Sequence, residues 1–256
     1  MARAAIPGGL KVRRTWRPAQ LVERRPETES ASTLVFEIRG WPGHLAGQHV
    51  DVRLTAPDGY QAARSYSLAA PTNGDRIAIT VQRVADGEVS SYLADEARSG
   101  DVVEVRGPVG GWFVWKPEDR GPVLLVAGGS GIVPLMAMIR SRDGASPTPF
   151  RLIYSVRTPE DRIYDPELRR RATQDGGLEV TFLYTRTVPD GETRSVGRIT
   201  ADDLIAYGWP ADVKPTCYVC GPTAFVETVS DLLVGLGHDP AMIRTERFGP
   251  SGPVRR

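Results

Sequence analysis

The chain has 256 residues, 41% of them apolar, and a formal net charge of +1. This length suits one large domain or two modest ones, and a charge so close to zero gives no reason to expect nucleic acid as a partner. No apolar run approaches the ~20 residues that cross a bilayer. Residues 1–14 also lack the continuous apolar core of a signal peptide. The sequence therefore predicts a cytoplasmic protein with no membrane partner.

The first half of the chain has the pattern of a β-rich domain. Between residues 18 and 107, β-branched runs separated by turn residues predict five strands, namely ASTLVFEIRG, HVDVRLTAP, RSYSLAAP, RIAITVQRV and DVVEVRGPV. Strands at this spacing are typical of a small antiparallel barrel or sandwich. One helical segment interrupts them, VSSYLADEARSG, with Ser90 or a neighbour as its N-cap and Gly100 as its end.

The pattern changes at KPEDRGP, near residue 118. The run PVLLVAGG is continuously apolar, as in a strand buried on both faces of a parallel sheet. The strand-like runs FRLIYSVR, LEVTFLYTR and TCYVCGP then alternate with the helical segments MAMIRSR, PELRRRATQDG, TADDLIAYG and TAFVETVSDLLVGLG. Such alternation indicates a doubly wound α/β domain. We therefore predict two domains, a β-barrel at residues 1–117 and a Rossmann-like α/β domain at residues 118–256.

The run RSYSLAAP in the β-rich half carries polar side chains where a barrel strand would be apolar. Strand alternation places Ser67 on one face, with Arg64 and Tyr66 on the other. Further along, Gly87 precedes the hydroxyl-rich start of a helix at Ser90, which together with Arg64 would form a cradle for an anion. The alternative is that Ser90 is only an N-cap.

A glycine-rich turn follows the first strand of the α/β half. In GGSGIVPL, the residues Gly129, Gly131 and Pro134 form a G-x-G-x-x-P pattern. Glycines let the backbone approach an anion closely, a helix N-terminus supplies free N–H groups, and proline suits the first helical turn. The strand–turn–helix context favours a pyrophosphate site over a simple tight turn.

The tips of the next strands carry hydroxyl and guanidinium groups where an NAD site would place an acid. These residues are Ser155, Arg157, Thr185 and Arg186. Such groups suit a 2′-phosphate through charge-assisted hydrogen bonds, so the sequence favours NADPH over NADH. The alternative is that Arg157 forms a surface ion pair with Glu160 or Asp161.

The cysteines and histidines do not predict a metal site or a catalytic base. Cys217 and Cys220 form a C-x-x-C, but on a strand such residues point to opposite faces with Cα atoms about 10 Å apart, beyond the roughly 4.4–6.8 Å of a disulfide. No second ligand pair completes a zinc site, and two thiols are too few for an iron–sulfur cluster. His44, His49 and His238 have no carboxylate or hydroxyl context, and we expect them to be structural or exposed.

Four of these motifs occur in one order on two domain types. RSYS, the G-x-V-S-x-Y-L run, GGSGIVPL and CGP resemble the ferredoxin–NADP reductase superfamily of flavin- and nicotinamide-dependent reductases, over about residues 16–250. The chain looks most like stand-alone bacterial members without a fused ferredoxin domain. The resemblance implies that the barrel binds FAD and that the α/β domain binds the nicotinamide nucleotide.

The resemblance also implies roles for individual residues. Arg64 would neutralise the FAD pyrophosphate, Tyr66 would pack against the isoalloxazine, and Ser67 would hydrogen-bond near its N5. Further FAD contacts would come from Gln82, Val84, Gly87, Val89, Ser90 and Phe248. The NADP site would include the four strand-tip residues, Ser155, Arg157, Thr185 and Arg186. It would also include Gly128, Gly129, Gly131, Ile132, Pro134, Cys220, Gly221 and Pro222. Ser67, Cys220 and Glu246 would form the catalytic zone.

Near the C-terminus the sequence both matches and departs from this family. In IRTERFGP, Glu246 matches the family's carboxylate near the nicotinamide, and Phe248 matches the aromatic that covers the flavin. The chain continues eight residues beyond Phe248, whereas plant-type members end on that aromatic. A position in the hydrophobic core is the alternative for Phe248.

The expected activity is that of an FAD-containing reductase. It would take a hydride from NADPH, with NADH as the alternative donor, and pass electrons singly to a separate iron–sulfur protein or oxygenase component. Alternatives are reduction of a diffusible acceptor such as a ferric chelate or free flavin, and a non-catalytic regulatory module that binds flavin or nucleotide. A dehydrogenase that uses only the α/β half would leave RSYS unexplained. We expect a monomer.

Overall fold

A computed structural model of the chain describes residues 15–142 and 148–249. Residues 1–14, where the sequence predicts no signal peptide, lie outside the described residues, as does the extension that follows residue 249. In the described part of the chain, no helix has the length and apolar character needed to cross a bilayer.

An antiparallel sheet forms the first half of the described chain. Its six strands are β1 (Arg17–Pro26), β2 (Ala31–Glu37), β3 (His49–Thr55), β4 (Gln61–Ser67), β5 (Arg76–Gln82) and β6 (Val102–Val109). They lie in the order β4-β3-β6-β1-β2-β5, and a bridge between Leu68 and Ile79 joins the two outer strands into a barrel. The five predicted strands are confirmed. The additional strand β1 was not predicted, because only Ala19 and Leu21 of its residues are buried and the rest read as polar.

Alternating side chains of these strands fill the barrel. On β3, Val50 and Val52 are fully buried while Asp51 and Arg53 point outward. This alternation is the period of two that a half-buried strand requires. The outward residues form ion pairs with β6, where Arg53 contacts Glu104 at 2.7 Å.

The helical segment of the barrel domain differs from its prediction. Helix α1 (Glu88–Ser91) begins after Gly87 as its N-cap and continues as a π-helical turn at Tyr92–Glu96. The prediction of Ser90 as N-cap is wrong, because Ser90 lies inside the helix and its hydroxyl donates to the Gly87 carbonyl at 3.3 Å. The predicted end at Gly100 is also wrong. Gly100 has φ +102° and instead makes the turn that leads into β6.

The second half of the described chain has the predicted α/β organisation. Five parallel strands, β7 (Val123–Gly128), β8 (Phe150–Val156), β9 (Leu178–Tyr184), β10 (Thr216–Pro222) and β11 (Ile243–Phe248), lie in the order β11-β10-β7-β8-β9. The helices between them are α2 (Ile132–Ser141), α3 (Asp165–Gln174), α4 (Ala201–Tyr207) and α5 (Thr223–Gly235). Strand β11 was not predicted, since it is a mostly polar strand at the sheet edge, where one side of its ladder is open to solvent.

The helices cover both faces of this parallel sheet. Helices α2 and α3 pack on one face and α4 and α5 on the other, which gives two separate hydrophobic clusters. Cys217 belongs to one cluster and Cys220 to the other, and neither is in a disulfide. The prediction that the two thiols point to opposite faces of one strand is confirmed.

The two domains share a packed boundary. The cluster around α2 also contains alanines of the barrel, among them Ala31, Ala69 and Ala78. The Tyr218 hydroxyl of β10 donates to the Val114 carbonyl of the connecting segment at 2.8 Å. This packing brings the end of β4 beside the carboxyl ends of β10 and β11.

Candidate active site

The three predicted catalytic residues meet at the domain boundary. Ser67 is the last residue of β4, and its hydroxyl donates to Glu246 Oε1 on β11 at 3.4 Å. Cys220 on β10 is the register partner of Glu246 on the neighbouring strand. One hydroxyl of the barrel therefore reaches, across 179 residues of sequence, a carboxyl of the α/β domain whose neighbour on the adjacent strand is Cys220.

The carboxyl of Glu246 has an unusual environment. Burial raises its pKa to about 7, although the hydrogen bond from Ser67 acts in the opposite direction. His49 Nδ1 lies 3.9 Å from Oε1. Oε2 is buried and has no hydrogen-bond partner in the described part of the chain. A cleft carboxyl that titrates near neutrality is a typical mark of a functional site.

The Cys220 thiol is a neutral group in this site. The residue is only 1% exposed, and burial together with the charge of Glu246 raises the thiol pKa well above its ordinary value. Because the thiolate is the nucleophilic form, this thiol is not prepared for covalent attack. It packs in the hydrophobic cluster around α2, beside Glu246 on the neighbouring strand.

Strand β4 contains three of the predicted flavin-binding residues, Arg64, Tyr66 and Ser67. Burial raises the pKa of Tyr66 to about 12, and the nearby Arg64 partly offsets this effect, so the phenol is neutral. Arg64 is exposed, and its Nη1 donates to the Ala63 carbonyl at 2.8 Å. Among described residues, Arg64 forms no ion pair. Most of its five donors therefore remain available for an anion.

A cavity of about 300 Å³ lies over the carboxyl ends of the parallel strands. The residues that line it are Gln82, Gly128, Gly129, Ser130, Ser155, Val156, Arg157, Asp161, Thr185, Pro222, Phe225 and Phe248. Most of them belong to the α/β domain, while Gln82 comes from the end of β5 in the barrel. Open α/β sheets bind ligands at this edge. Eight of these residues are among those predicted to bind a cofactor.

The two glycines of the predicted phosphate turn have different structural roles. Gly129 has φ +55°, and a Cβ there would meet no atom within 4 Å. A Cβ on Gly131 would lie 2.5 Å from the Cys220 carbonyl carbon, so this glycine permits close packing against β10. The side chains of Ile132 and Pro134 in the first turn of α2 are buried. Neither residue lines the cavity.

The loop before α1 is already well packed. A Cβ on Gly87 would overlap the Ser90 hydroxyl, which accepts a hydrogen bond from the Val84 N–H at 3.3 Å. Val89 points into the barrel core and is 1% exposed, whereas Val84 is 60% exposed. Of these predicted flavin contacts, Val84 alone presents a largely exposed side chain.

The predicted specificity residues separate into two groups. Ser155, Arg157 and Thr185 line the cavity, whereas Arg186 does not and is exposed. The alternative ion pair of Arg157 with Glu160 or Asp161 does not occur between these described residues. The Asp161 carboxylate instead accepts hydrogen bonds from the Thr158 N–H and hydroxyl, at 3.2 and 3.3 Å.

Two residues at the site were not singled out by sequence reasoning. His49 is expected to be structural or exposed, yet it pairs in register with Ser67 and approaches Glu246. The ring of Phe225 lies against two turns, since a Cβ on Gly128 or Gly221 would come within 2.8 Å or 2.7 Å of it. Both contacts depend on strand register and tertiary packing, for which the sequence carries no local signal.

Comparisons with known proteins agree with this architecture. Residues 18–114 match the family model described as an oxidoreductase FAD-binding domain, and residues 125–231 match that described as an oxidoreductase NAD-binding domain. The FAD/NAD-binding domain of a Vibrio cholerae nitric oxide dioxygenase superposes with a TM-score of 0.80 at 25% identity, covering 91% of this chain and 99% of that one.

Two curated relatives extend the comparison. A Xylella fastidiosa flavohemoprotein is 30% identical over 92% of this chain and 59% of its own length. The ferredoxin–NAD(P)(+) reductase component of a Ralstonia naphthalene dioxygenase/salicylate hydroxylase system is 32% identical over 80% of this chain and 61% of its own length. The chain thus spans about three fifths of the curated relatives it matches. With an FAD-binding domain followed by an NAD-binding domain, it belongs to the ferredoxin reductase-like flavoprotein oxidoreductases.

Proposed function

We propose that this chain is an FAD-dependent reductase that accepts a hydride from NADPH and delivers electrons singly to a separate iron–sulfur protein or oxygenase component. The observation that carries the proposal is the 3.4 Å contact between Ser67 and Glu246, which joins the flavin-domain strand to the α/β domain beside Cys220. FAD supplies the hydride acceptance and single-electron release when bound. In this proposal, the barrel up to residue 117 holds FAD and the remainder holds the nucleotide.

The residues at the boundary fit a flavin with its diphosphate. Arg64 offers donors for a diphosphate, and Tyr66 offers a neutral ring on the same strand. Phe248 is 37% exposed and lines the same cavity as the barrel residue Gln82. The buried Oε2 of Glu246 has no partner among the described residues, and a polar ligand atom would satisfy it.

The chain's own groups provide a route for a proton at this boundary. A carboxyl with a pKa of about 7 holds or releases a proton under ordinary conditions. The Ser67 hydroxyl donates to Oε1 from one side, and His49, whose side chain is 27% exposed, lies 3.9 Å away towards solvent. Ser67, Glu246 and His49 can therefore carry a proton between the buried cleft and water.

The nucleotide preference rests on the strand tips at the cavity. Arg157 presents a guanidinium beside the Ser155 and Thr185 side chains, and no carboxylate in the described chain forms an ion pair with it. A guanidinium and two hydroxyls recognise a phosphate monoester through charge-assisted hydrogen bonds. This arrangement supports NADPH over NADH.

Replacing Arg157 by alanine should raise the Michaelis constant for NADPH about 10- to 100-fold, the cost of one or two charge-assisted hydrogen bonds. The Michaelis constant for NADH should change little, since NADH has no 2′-phosphate. Steady-state kinetics with both donors and one artificial acceptor would measure this difference. Arg169→Ala removes an exposed arginine that pairs with Asp165 outside the cavity, and serves as the matched control. An equal rise in the Michaelis constants for NADPH and NADH would contradict a 2′-phosphate site at Arg157.

The acceptor assignment comes from the relatives and from the composition of this chain. The Ralstonia relative is named as the reductase component of an oxygenase system. The two cysteines of this chain are too few to ligate an iron–sulfur cluster, so electrons must leave to another molecule. An iron–sulfur protein or oxygenase component fits both observations.

The visible spectrum of the purified protein tests the proposal. We expect a flavin spectrum that stoichiometric NADPH bleaches anaerobically, faster than NADH does. Bleaching by NADH alone would be consistent with the proposed reductase activity but would contradict the preference for NADPH. A colourless protein that takes up no added FAD would overturn the proposed function.

A further inference from the structure

A chain of four oxygen-bearing side chains crosses the boundary between the two domains. The Tyr164 hydroxyl of the α/β domain contacts Thr80 Oγ1 on β5. Thr80 lies 2.7 Å from Thr33 Oγ1 on β2, and Thr33 donates to Glu27 Oε1 at 2.6 Å. Tyr164, Thr80 and Thr33 are all buried. We call this set (Tyr164, Thr80, Thr33 and Glu27) the interdomain hydroxyl chain.

In the interdomain hydroxyl chain, the direction of each hydrogen bond follows from the carboxylate at its Glu27 end. Thr33 has one hydroxyl hydrogen and gives it to the Glu27 carboxylate, so Thr80 must donate to Thr33 and Tyr164 must donate to Thr80. Hydroxyls aligned in this way polarise and strengthen one another. Removing the Thr80 hydroxyl would leave its two neighbours without their shared partner in a buried place.

Arg140 makes a second link at the same boundary. Its guanidinium lies 4.6 Å from the centre of the Tyr164 ring, and its Nη1 donates to the Ala69 carbonyl of the barrel at 2.6 Å. Glu167 on α3 holds the guanidinium from the other side, with Nε 3.2 Å from each carboxylate oxygen. Arg140 is near the end of α2, the helix that begins at the glycine-rich turn.

Both links end close to residues of the active site. Ala69 lies two residues after Ser67, and Thr80 lies two residues before Gln82, which lines the cavity. The rest of the barrel surface at this boundary includes small alanine side chains. Apolar contact is non-directional, so such a surface does not by itself fix one orientation. Hydrogen bonds depend on angle, so they can fix one orientation of the two domains.

We propose that Tyr164, Thr80 and Arg140 are positioning residues that hold the two domains in one relative orientation. None of the three lines the cavity; they act through Ser67 and Gln82 on the segments they anchor. Since each cofactor is held mainly by its own domain, this orientation sets how the two cofactors meet. The inference rests on the proposed hydride transfer between them.

The matched pair Thr80→Val and Thr80→Ser tests this role, because valine has the shape of threonine without its hydroxyl and serine keeps the hydroxyl. In FAD-loaded protein, Thr80→Val should lower the limiting rate of flavin bleaching at saturating nucleotide about 10- to 100-fold. The half-saturating nucleotide concentration should not change. The long-wavelength charge-transfer absorbance of the nucleotide complex should weaken, and Thr80→Ser should restore it.

A readout independent of turnover is hydrogen exchange in the FAD-loaded protein without nucleotide. Amides of β5 and of the start of α3 should lose protection in Thr80→Val and in Tyr164→Phe, which serves as a second variant if the first does not fold. Tyr154→Phe is the matched control for the bleaching rate and for the β5 amides, since Tyr154 is equally buried but its hydroxyl accepts from Ile163 within the α/β domain.

The outcomes separate this inference from the proposed function. Wild-type bleaching rates and unchanged exchange in both Thr80→Val and Tyr164→Phe would overturn the positioning role while leaving the reductase intact. An equal drop in bleaching rate and in β5 protection in the Tyr154→Phe control would overturn the positioning role too, because it would trace the effect to general destabilisation. A wild-type protein that binds FAD but is bleached by neither nucleotide would overturn the proposed function, and the positioning role with it.

Discussion

Replacing Glu246 by glutamine is expected to make the cofactor-free protein more stable at pH 8 and to change its stability much less at pH 5. Burial raises the pKa of this carboxyl to about 7, so at pH 8 the wild-type protein holds a buried negative charge. Glutamine has the shape of the protonated acid without the charge. At pH 5 the two side chains are therefore nearly equivalent in the native state, and only the ionisation of the unfolded glutamate, with a pKa of about 4.3, separates the two proteins.

The sign follows from proton binding in the two states. An unfolded glutamate has a pKa of about 4.3, so between that pH and about pH 7 the native state binds more protons than the unfolded state does. The stability provided by the neutral carboxyl is present below the unfolded pKa and is lost as pH rises through the folded pKa. Across the whole window this amounts to about 4 kcal/mol, or a difference in Tm of roughly 8 to 16 °C for a chain of this size.

Urea unfolding of the wild type and Glu246→Gln at pH 5 and pH 8 measures this effect. Groups that face Glu246, namely Ser67, His49 and Cys220, are common to both proteins and largely cancel in the difference. Glu227→Gln is the matched control, because Glu227 is exposed and pairs with Arg247 at 2.6 Å. It should change stability by less than about 1 kcal/mol at either pH. A Glu246→Gln difference that is the same at both pH values would contradict the raised pKa.

The sequence predicts the fold well because the signals for regular elements are local. The unbroken apolar run of β7 and the alternation of strands and helices after residue 118 are readable within short windows. Strands β1 and β11 escape prediction for the opposite reason, since each is exposed along much of its length and has no clear apolar period. The helix boundary at Gly87 also fails, because the Ser90 hydroxyl bonds back to the preceding loop.

The candidate site was accessible only through motifs and the family they resemble. No local pattern links Ser67 to Glu246, because their contact depends on how two complete domains pack. His49 reaches the site through strand register, which the sequence does not specify residue by residue. The hydrogen bond between Thr80 and Tyr164 likewise joins residues 84 apart in two different domains. Tertiary contacts of this kind are set by the packing of the whole chain.

The two glycines of the phosphate turn should respond differently to alanine, and Gly131→Ala is expected to cause the larger loss of stability. Its Cβ would lie 2.5 Å from the Cys220 carbonyl carbon and 2.9 Å from the Gly221 nitrogen. Both are backbone atoms, which cannot move aside without displacing β10. Overpacking costs about 1–3 kcal/mol, and contact with backbone atoms places this substitution at the upper end of that range. At about 3 kcal/mol, a drop in Tm of roughly 6 to 12 °C follows for a protein of this size.

Gly129→Ala is the matched comparison. Gly129 has φ +55°, so alanine there costs only the strain of the left-handed region, about 1–2 kcal/mol. Its methyl group would enter open space at the cavity. We therefore expect a smaller drop in Tm but a clear loss of nucleotide affinity, whereas any Gly131→Ala protein that folds should lose stability first. Thermal unfolding and nucleotide titration of both variants measure the two effects. Equal Tm values for the two variants would show that β10 can move to accommodate the added methyl group. Close packing against Cys220 would then not explain the glycine at position 131.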